Sequence, residues 1–279
     1  MNMKRLITLF FLFCVSTALF AQGKVTTRKH LFSDFPDKIT KVVMSGNDVL
    51  DGALRQAVVD LWTASPFEFC PMTEYETLKK SDTYYFLLVT AGQAKGENAP
   101  MVQFLTLEKG GADSGDNVAL RKEVISLPLS PVRGGSGRGL TFLPALVKGA
   151  QDFALQATES EKAAYSGMNW FNGNFDRKVG TKRIYLARED VSESVTDKDR
   201  AKYLDEDILL CDEDEADKAY TDKTYNTLVS YTVSAGDWSY KMLLDAETDT
   251  IFYIRRHKVH AKNAPGFLAE DLRRISRKR

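Results

Sequence analysis

"TYYFLLVTAG", Thr83 to Gly92, and "TLVSYTVSAG", Thr227 to Gly236, are the two stretches whose reading decides the fold. Each is rich in β-branched and aromatic residues and closes on a glycine, so each predicts a strand. What precedes each strand also matches. Upstream of Thr83, Lys38 to Ser45 ("KITKVVMS") is a strand pattern, and Asp48 is placed to start a helix. The apolar positions Val49, Leu50, Ala53, Leu54, Ala57, Val58, Leu61 and Trp62 are expected on one face of that helix. Ser65-Pro66 ends it, "FEFC" (Phe67 to Cys70) is a short strand, and Thr73 with Glu76 has capping-box spacing for a brief helix. Upstream of Thr227, "TKRIYLAREDV" from Thr181 supplies the strand and Asp190 the acidic helix start. "ILLC", ending at Cys211, repeats "FEFC", and Asp212 with Glu215 repeats the capping spacing.

The two halves continue alike. Met101 to Glu108 and Val118 to Leu127 form a strand pair after the first copy, and Trp238 to Val259 forms a hairpin after the second. Leu143, Leu146, Val147, Ala150, Phe153 and Ala157 mark a long amphipathic helix, with Pro144 tolerated in its first turn. A final helix opens at Gly266-Phe267-Leu268. The expected fold is therefore α/β (α+β): two tandem copies of a β-α-β-α-β-β-β-α unit with mixed sheets, after a cleaved signal peptide. The expected boundaries are 1–21 signal peptide, 22–37 lead segment, 38–166 first unit, 167–178 linker and 179–279 second unit. The element order from Lys38 to Thr90 resembles the periplasmic α/β domains that open TolB-type translocation proteins, and those of curli-secretion-like lipoproteins. The resemblance implies an envelope location and carries no functional residue, because no motif specific to those families is present.

The N-terminus gives the same address. Lys4 and Arg5 precede an uncharged apolar run, Leu6 to Phe20, and Ala21 is a small residue at a cleavage point. Phe13 before Cys14 argues against a lipoprotein signal. Later apolar segments are interrupted by charge within about ten residues, so no transmembrane span is expected. The 279 residues carry 38 basic and 38 acidic side chains, a balance that gives no general pull toward nucleic acid. Of the three cysteines, Cys70 and Cys211 survive cleavage, too few for a disulfide framework.

Chemistry is harder to find. "PVRGGSGRGL", Pro131 to Leu140, has neither phosphate-loop nor dinucleotide spacing, and Ser136 lacks the glycine of a nucleophile elbow. A flexible joint is the first reading. Arg133, Ser136 and Arg138 remain candidates for holding an anion. The acids at Asp205–Asp207 and Asp212–Asp217 lack calcium-loop spacing, and the second group reads as helix-start carboxylates on a solvated face. His30, His257 and His260 form no zinc pattern, so no metal or other cofactor is expected. A Cys–His nucleophile from Cys70 or Cys211 with His257 is conceivable, though cysteines on short apolar strands are usually plain core residues. The basic C-terminus, Arg273 to Arg279, reads as a solvated end. "GMNWFNGNF", Gly167 to Phe175, joins the halves, and Trp170 and Phe171 there are expected either to offer a contact surface or to pack between the units. The leading expectation is an exported, non-catalytic cell-envelope or secreted protein with an envelope protein partner. The alternatives are a periplasmic protein that binds a small anion or glycan in a cleft between the units, and an envelope-polymer hydrolase using scattered acids.

Overall fold

The structure, a computed structural model, describes residues 27–94, 97–112, 122–135 and 137–277. The expected signal peptide and its cleavage point lie outside the described residues, as does Ser136. The first half runs α1 (Arg28–Phe32), β1 (Ile39–Met44), α2 (Asp48–Leu61), β2 (Phe67–Pro71), α3 (Met72–Leu78), β3 (Tyr84–Gly92), β4 (Val102–Lys109), β5 (Lys122–Pro131), α4 (Arg138–Thr141) and α5 (Leu143–Glu159). Then come α6 (Glu161–Ser166), a 3-10 turn at Gly167–Phe171 and α7 (Asn172–Lys178), so the expected linker is helical throughout. The second half runs β6 (Arg183–Ala187), α8 (Asp197–Tyr203), β7 (Ile208–Cys211), α9 (Glu213–Thr221), β8 (Thr227–Ala235), β9 (Trp238–Asp245), β10 (Ile251–Lys258) and α10 (Ala269–Arg277).

The two five-stranded sheets have one topology. Their orders are β2-β1-β3-β4-β5 and β7-β6-β8-β9-β10. In each, the first strand lies parallel between the second and third, and the last three form an antiparallel meander. The β-α-β-α-β-β-β-α unit is thus present twice, as the sequence predicts.

Several local starts differ from expectation, each for a physical reason. Asn47 rather than Asp48 caps α2, its carbonyl oxygen accepting from the amides of Val49 and Leu50. Asp51 in the first turn meanwhile accepts from Ser45 and Gly46. Helix α3 starts at Met72, one residue before Thr73, so Thr73 lies inside the helix and the extended Pro71 stands at the cap position with no side-chain bond. Asp212 stands at the start of α9, but its carboxylate is taken by Arg188 rather than by the helix amides. Asp190 starts no helix: it ends a 3-10 turn with its side chain turned inward, and α8 begins at Asp197 under a Thr196 cap.

The halves share one core. Leu54 and Val58 of α2, Leu105 of β4, Leu127 of β5 and Phe153 of α5 belong to the same apolar cluster as Val229, Met242, Leu244 and Ile251 of the second sheet. Helix α5 is the joint, and most of its 17 residues are buried. A Cβ on Gly149 would come within 2.6 Å of Ile251 Cδ1 and 3.2 Å of Leu127 Cδ1, so the helix backbone nearly touches both sheets there. At the neighbouring turn Gln151 bonds the Leu61 carbonyl (2.8 Å) and the Thr63 amide (2.9 Å), satisfying groups that the end of α2 leaves open. The outer face of the second sheet has its own cluster, with Ile184, Leu228, Leu243, Phe267, Leu272 and Ile275 beneath α8 and α10.

The lead segment plugs the first unit. Phe32 and Phe35 are buried, and the Phe35 ring meets Trp62 and Tyr85 edge-on at 6.1 and 5.0 Å. Asp34 fastens it by accepting from Lys109 (2.7 and 2.8 Å) and the Tyr85 phenol (2.7 Å). Burial works to raise the Asp34 carboxyl, but hydrogen bonds from Lys109, Lys38 and Tyr85 and the Lys109 charge outweigh it and hold it at about 2, below the ordinary 3.8.

Two outcomes are expected. Gly149→Val should overpack both sheets at once and lower stability by about 1–3 kcal/mol, still in a single transition by urea denaturation followed by circular dichroism. Asp34 has a depressed carboxyl pKa, so its contribution is full above the ordinary value and fades as pH falls toward 2. The stability curves of the wild type and Asp34→Asn should therefore converge between about pH 4 and pH 2.

Candidate functional site

The glycine loop does not hold a free pair of arginines. Arg133 is exposed, whereas Arg138 is buried and reaches from the first unit into the second. Its Nε and Nη2 donate to Asp217 at 2.7–3.0 Å, and its Nη1 meets Asp190 at 3.2 Å and Glu213 at 3.4 Å. Asp190 also accepts from Ser230 and Thr232, both at 2.6 Å. The rings of Phe142 and Tyr231 pack on the guanidinium at 5.4 Å. Burial opposes the Arg138 charge, but the Asp217 hydrogen bonds and the three acidic charges more than offset it, raising its pKa. Burial likewise pushes the Glu213 and Asp217 carboxyls up, against the pull of Arg138. Arg138 is thus an inter-unit clasp with its charge already answered. The guanidinium of Arg138 is engaged by carboxylates of the second unit, and Glu213 and Asp217, expected on a solvated face, do not simply face solvent.

The other anticipated groups are placed as follows. Phe171 is turned inward at 1% exposure, with Trp170 half-buried beside it, and both rings lie against Phe153 of α5. Cys70 and Cys211 are buried and unbridged, and burial lifts both thiols to about 11. Cys211 Sγ faces the Leu186 carbonyl, and His257 Nε2 faces that of Ala264, so this cysteine and histidine are engaged elsewhere. Among the described residues no group of His, Cys, Asp and Glu is arranged to hold a metal, and no helix is long and apolar enough to cross a membrane.

A cleft of about 550 Å³ lies where the edge of the first sheet meets the face of the second. Its floor comes from β3, β4 and β5, and its walls from α1, α6, the Gly167–Phe171 turn, β9 and β10. Comparing the two copies explains its chemistry. Cys70 pairs Val43 and Cys211 pairs Ala187; two residues back, Lys41 and Tyr185 pair Phe86 and Val229. Following the ladders outward makes Thr90, Thr106 and Ser126 the counterparts of Val233, Met242 and Ile254. In the second unit this face is apolar and packs into the shared core. In the first it is a row of hydroxyls: Thr90 to Thr106 at 2.7 Å, and Thr106 to Ser126 at 2.9 Å. Glu108, the counterpart of Leu244, continues the row and accepts from the Tyr75 phenol at 2.8 Å.

Cations and rings complete the cleft. Arg28 donates through Nη2 to the Glu123 carbonyl at 2.8 Å, while its buried Nε has no hydrogen-bond partner among the described residues. Its guanidinium lies near the rings of Phe32 and Tyr165, at 5.5 and 5.8 Å. Arg255 pairs with Glu270, whereas exposed Arg256 lies over the Trp238 ring at 4.8 Å. Phe104 and Tyr240 meet edge-to-face at 5.6 Å across the junction of the units. None of these residues forms a recognisable motif in the chain. The only sequence signal is the presence of hydroxyls in one repeat where the other has apolar residues, and it requires the correct register to be seen.

No protein-family model, curated protein or solved structure matches the chain.

Arg138 and Arg133 should behave oppositely on substitution. Arg138→Ala leaves three acids around an empty place and should cost about 3–5 kcal/mol in urea denaturation, with Arg138→Lys failing to restore the forked bonds. Arg133→Ala should change stability by no more than about 0.5 kcal/mol.

Proposed function

We propose that the protein is an exported binding protein that takes a small polar ligand into the cleft between its two units. The observation that carries this reading is the polar row Thr90, Thr106, Ser126 and Glu108 on a sheet face whose counterpart in the second unit is apolar. A sheet face that merely met solvent would carry charged and exposed side chains. Here Thr106 and Glu108 are 3% and 2% exposed, at the bottom of a walled cleft. Enclosure, a few convergent polar groups and adjacent aromatic rings are what small-molecule sites have in common.

Binding accounts for these groups better than turnover does. Each hydroxyl in the row is hydrogen-bonded to its neighbour, Glu108 is held by Tyr75, and the two buried thiols are kept protonated. Each hydroxyl of such a chain can donate or accept by rotating its proton, which suits recognition of a polar ligand. The N-terminal run predicts export, placing the ligand in the periplasm or outside the cell.

The test is a thermal-shift screen of sugars, sugar acids, small anions and nucleotides on the wild type and on Thr106→Val, which keeps the shape and removes the central hydroxyl. A cleft ligand at 100 times its Kd should add about 2.7 kcal/mol to wild-type stability and distinctly less to the variant. No response to any compound, or equal responses from both proteins, would refute the assignment of the cleft.

A further inference from the structure

We infer that the cleft is one half of a longer groove, and that its ligand is a linear acidic saccharide of at least two sugar residues. This rests on the binding reading above and goes on to name the ligand class. A second cavity of about 370 Å³ adjoins the first, and the two share Gly92, Phe104, Tyr240 and Arg256 in their walls. The edge-to-face pair of Phe104 and Tyr240 forms a saddle between them. Gly92 makes room for it: a Cβ there would lie 2.5 Å from the Phe104 ring, so any other residue would displace the ring. Beyond the saddle the second cavity is lined by Trp238, with the Arg256 guanidinium over its ring, and by Lys258.

Three features select the chemistry. The hydroxyl row and Glu108 offer donors and acceptors side by side, matching the ring hydroxyls of a sugar, while Phe104, Tyr240 and Trp238 offer flat apolar faces to its C–H side. The cations favour an acid. Arg256 has no carboxylate partner among the described residues, and the Arg28 Nε is unsatisfied, whereas Glu97 of the second cavity is engaged by the amides of Ala94 and Asp237. The sheet edges disfavour a peptide. At the free edge of β10, Asn172 pairs with both the amide and the carbonyl of Ile254 at 3.0 Å, and Asn174 takes the Ile251 carbonyl. At the free edge of β5, Arg28 and the Tyr231 phenol take the carbonyls of Glu123 and Leu129. A chain entering the groove therefore finds several of the backbone groups that a strand would pair with already occupied.

Calorimetric titration of the mature chain separates the possibilities. The probes are galacturonic, glucuronic and mannuronic acids, their linear trimers, and the neutral glucose trimer. At least one acidic trimer should bind about tenfold or more tighter than its monomer and than the neutral trimer. Trp238→Ala should reduce that trimer to the affinity of the monomer without weakening the monomer. Arg256→Gln, a change at an exposed position, should cost the trimer about tenfold and leave the melting temperature unchanged. Equal affinity for monomer and trimer, equal affinity for neutral and acidic trimers, or no binding of any probe would each overturn the inference. A different compound that stabilises the wild type but not Thr106→Val would still uphold the cleft as a ligand site, so the two readings fail separately.

Discussion

The two units hold together because one helix is buried against both sheets. Leu143–Glu159 belongs by sequence to the first unit, yet its backbone approaches Leu127 and Ile251 so closely at Gly149 that no side chain fits between them. Close packing of this kind gains dispersion contacts on two sides and leaves no slack for the units to slide. Everything at the junction follows from that placement. Phe142, preceding the helix, packs edge-on against Tyr220 and tilted against Tyr231 of the second unit, and Arg138 one turn earlier enters the acidic pocket of Asp190, Glu213 and Asp217. The glycine loop before it turns through Gly134 and Gly137 at positive φ to deliver that arginine. Its role in the fold is to end on a buried ion cluster, and the cost of burying one cation is offset only because several carboxylates and the Ser230 carbonyl meet it there.

The same placement creates the cleft. Because the face of the second sheet lies across the β5 edge, one side of that edge is filled by the long helix and the other side is left open. On the open side the first sheet carries hydroxyls and a carboxylate where the second carries Val233, Met242, Ile254 and Leu244. Two copies of one topology thus divide the work: the apolar version of the face makes the joint, and the polar version lines the space beside it.

The architecture was legible in the sequence because strand and helix periodicities survive in both copies. The register was not. Aligning Thr83 with Thr227 looks right residue by residue, but the ladders pair Phe86 and Val229 with equivalent positions, a slip of one. In a strand, one residue is the difference between one face and the other, and the slip hides the hydroxyl row. Asp190 misled for a related reason. An acid after a strand is a local signal, and what turned it inward was a partner distant in the chain, Arg138. The cleft draws on residues from Arg28 to Arg256, which no local pattern assembles.

The stacking of the two units is also directional. The second unit sets its α9-side face on the helix side of the first, so the joint is head to tail, and a head-to-tail contact between like units has no built-in end. A third unit of the same kind would seat its long helix on the α3-side face of the first, and so on toward a fibre. Hydroxyls and Glu108 on that face deny an incoming apolar helix its seat. The polar row therefore denies that one face to the apolar helix of a like unit, where the matching face of the second unit accepts one.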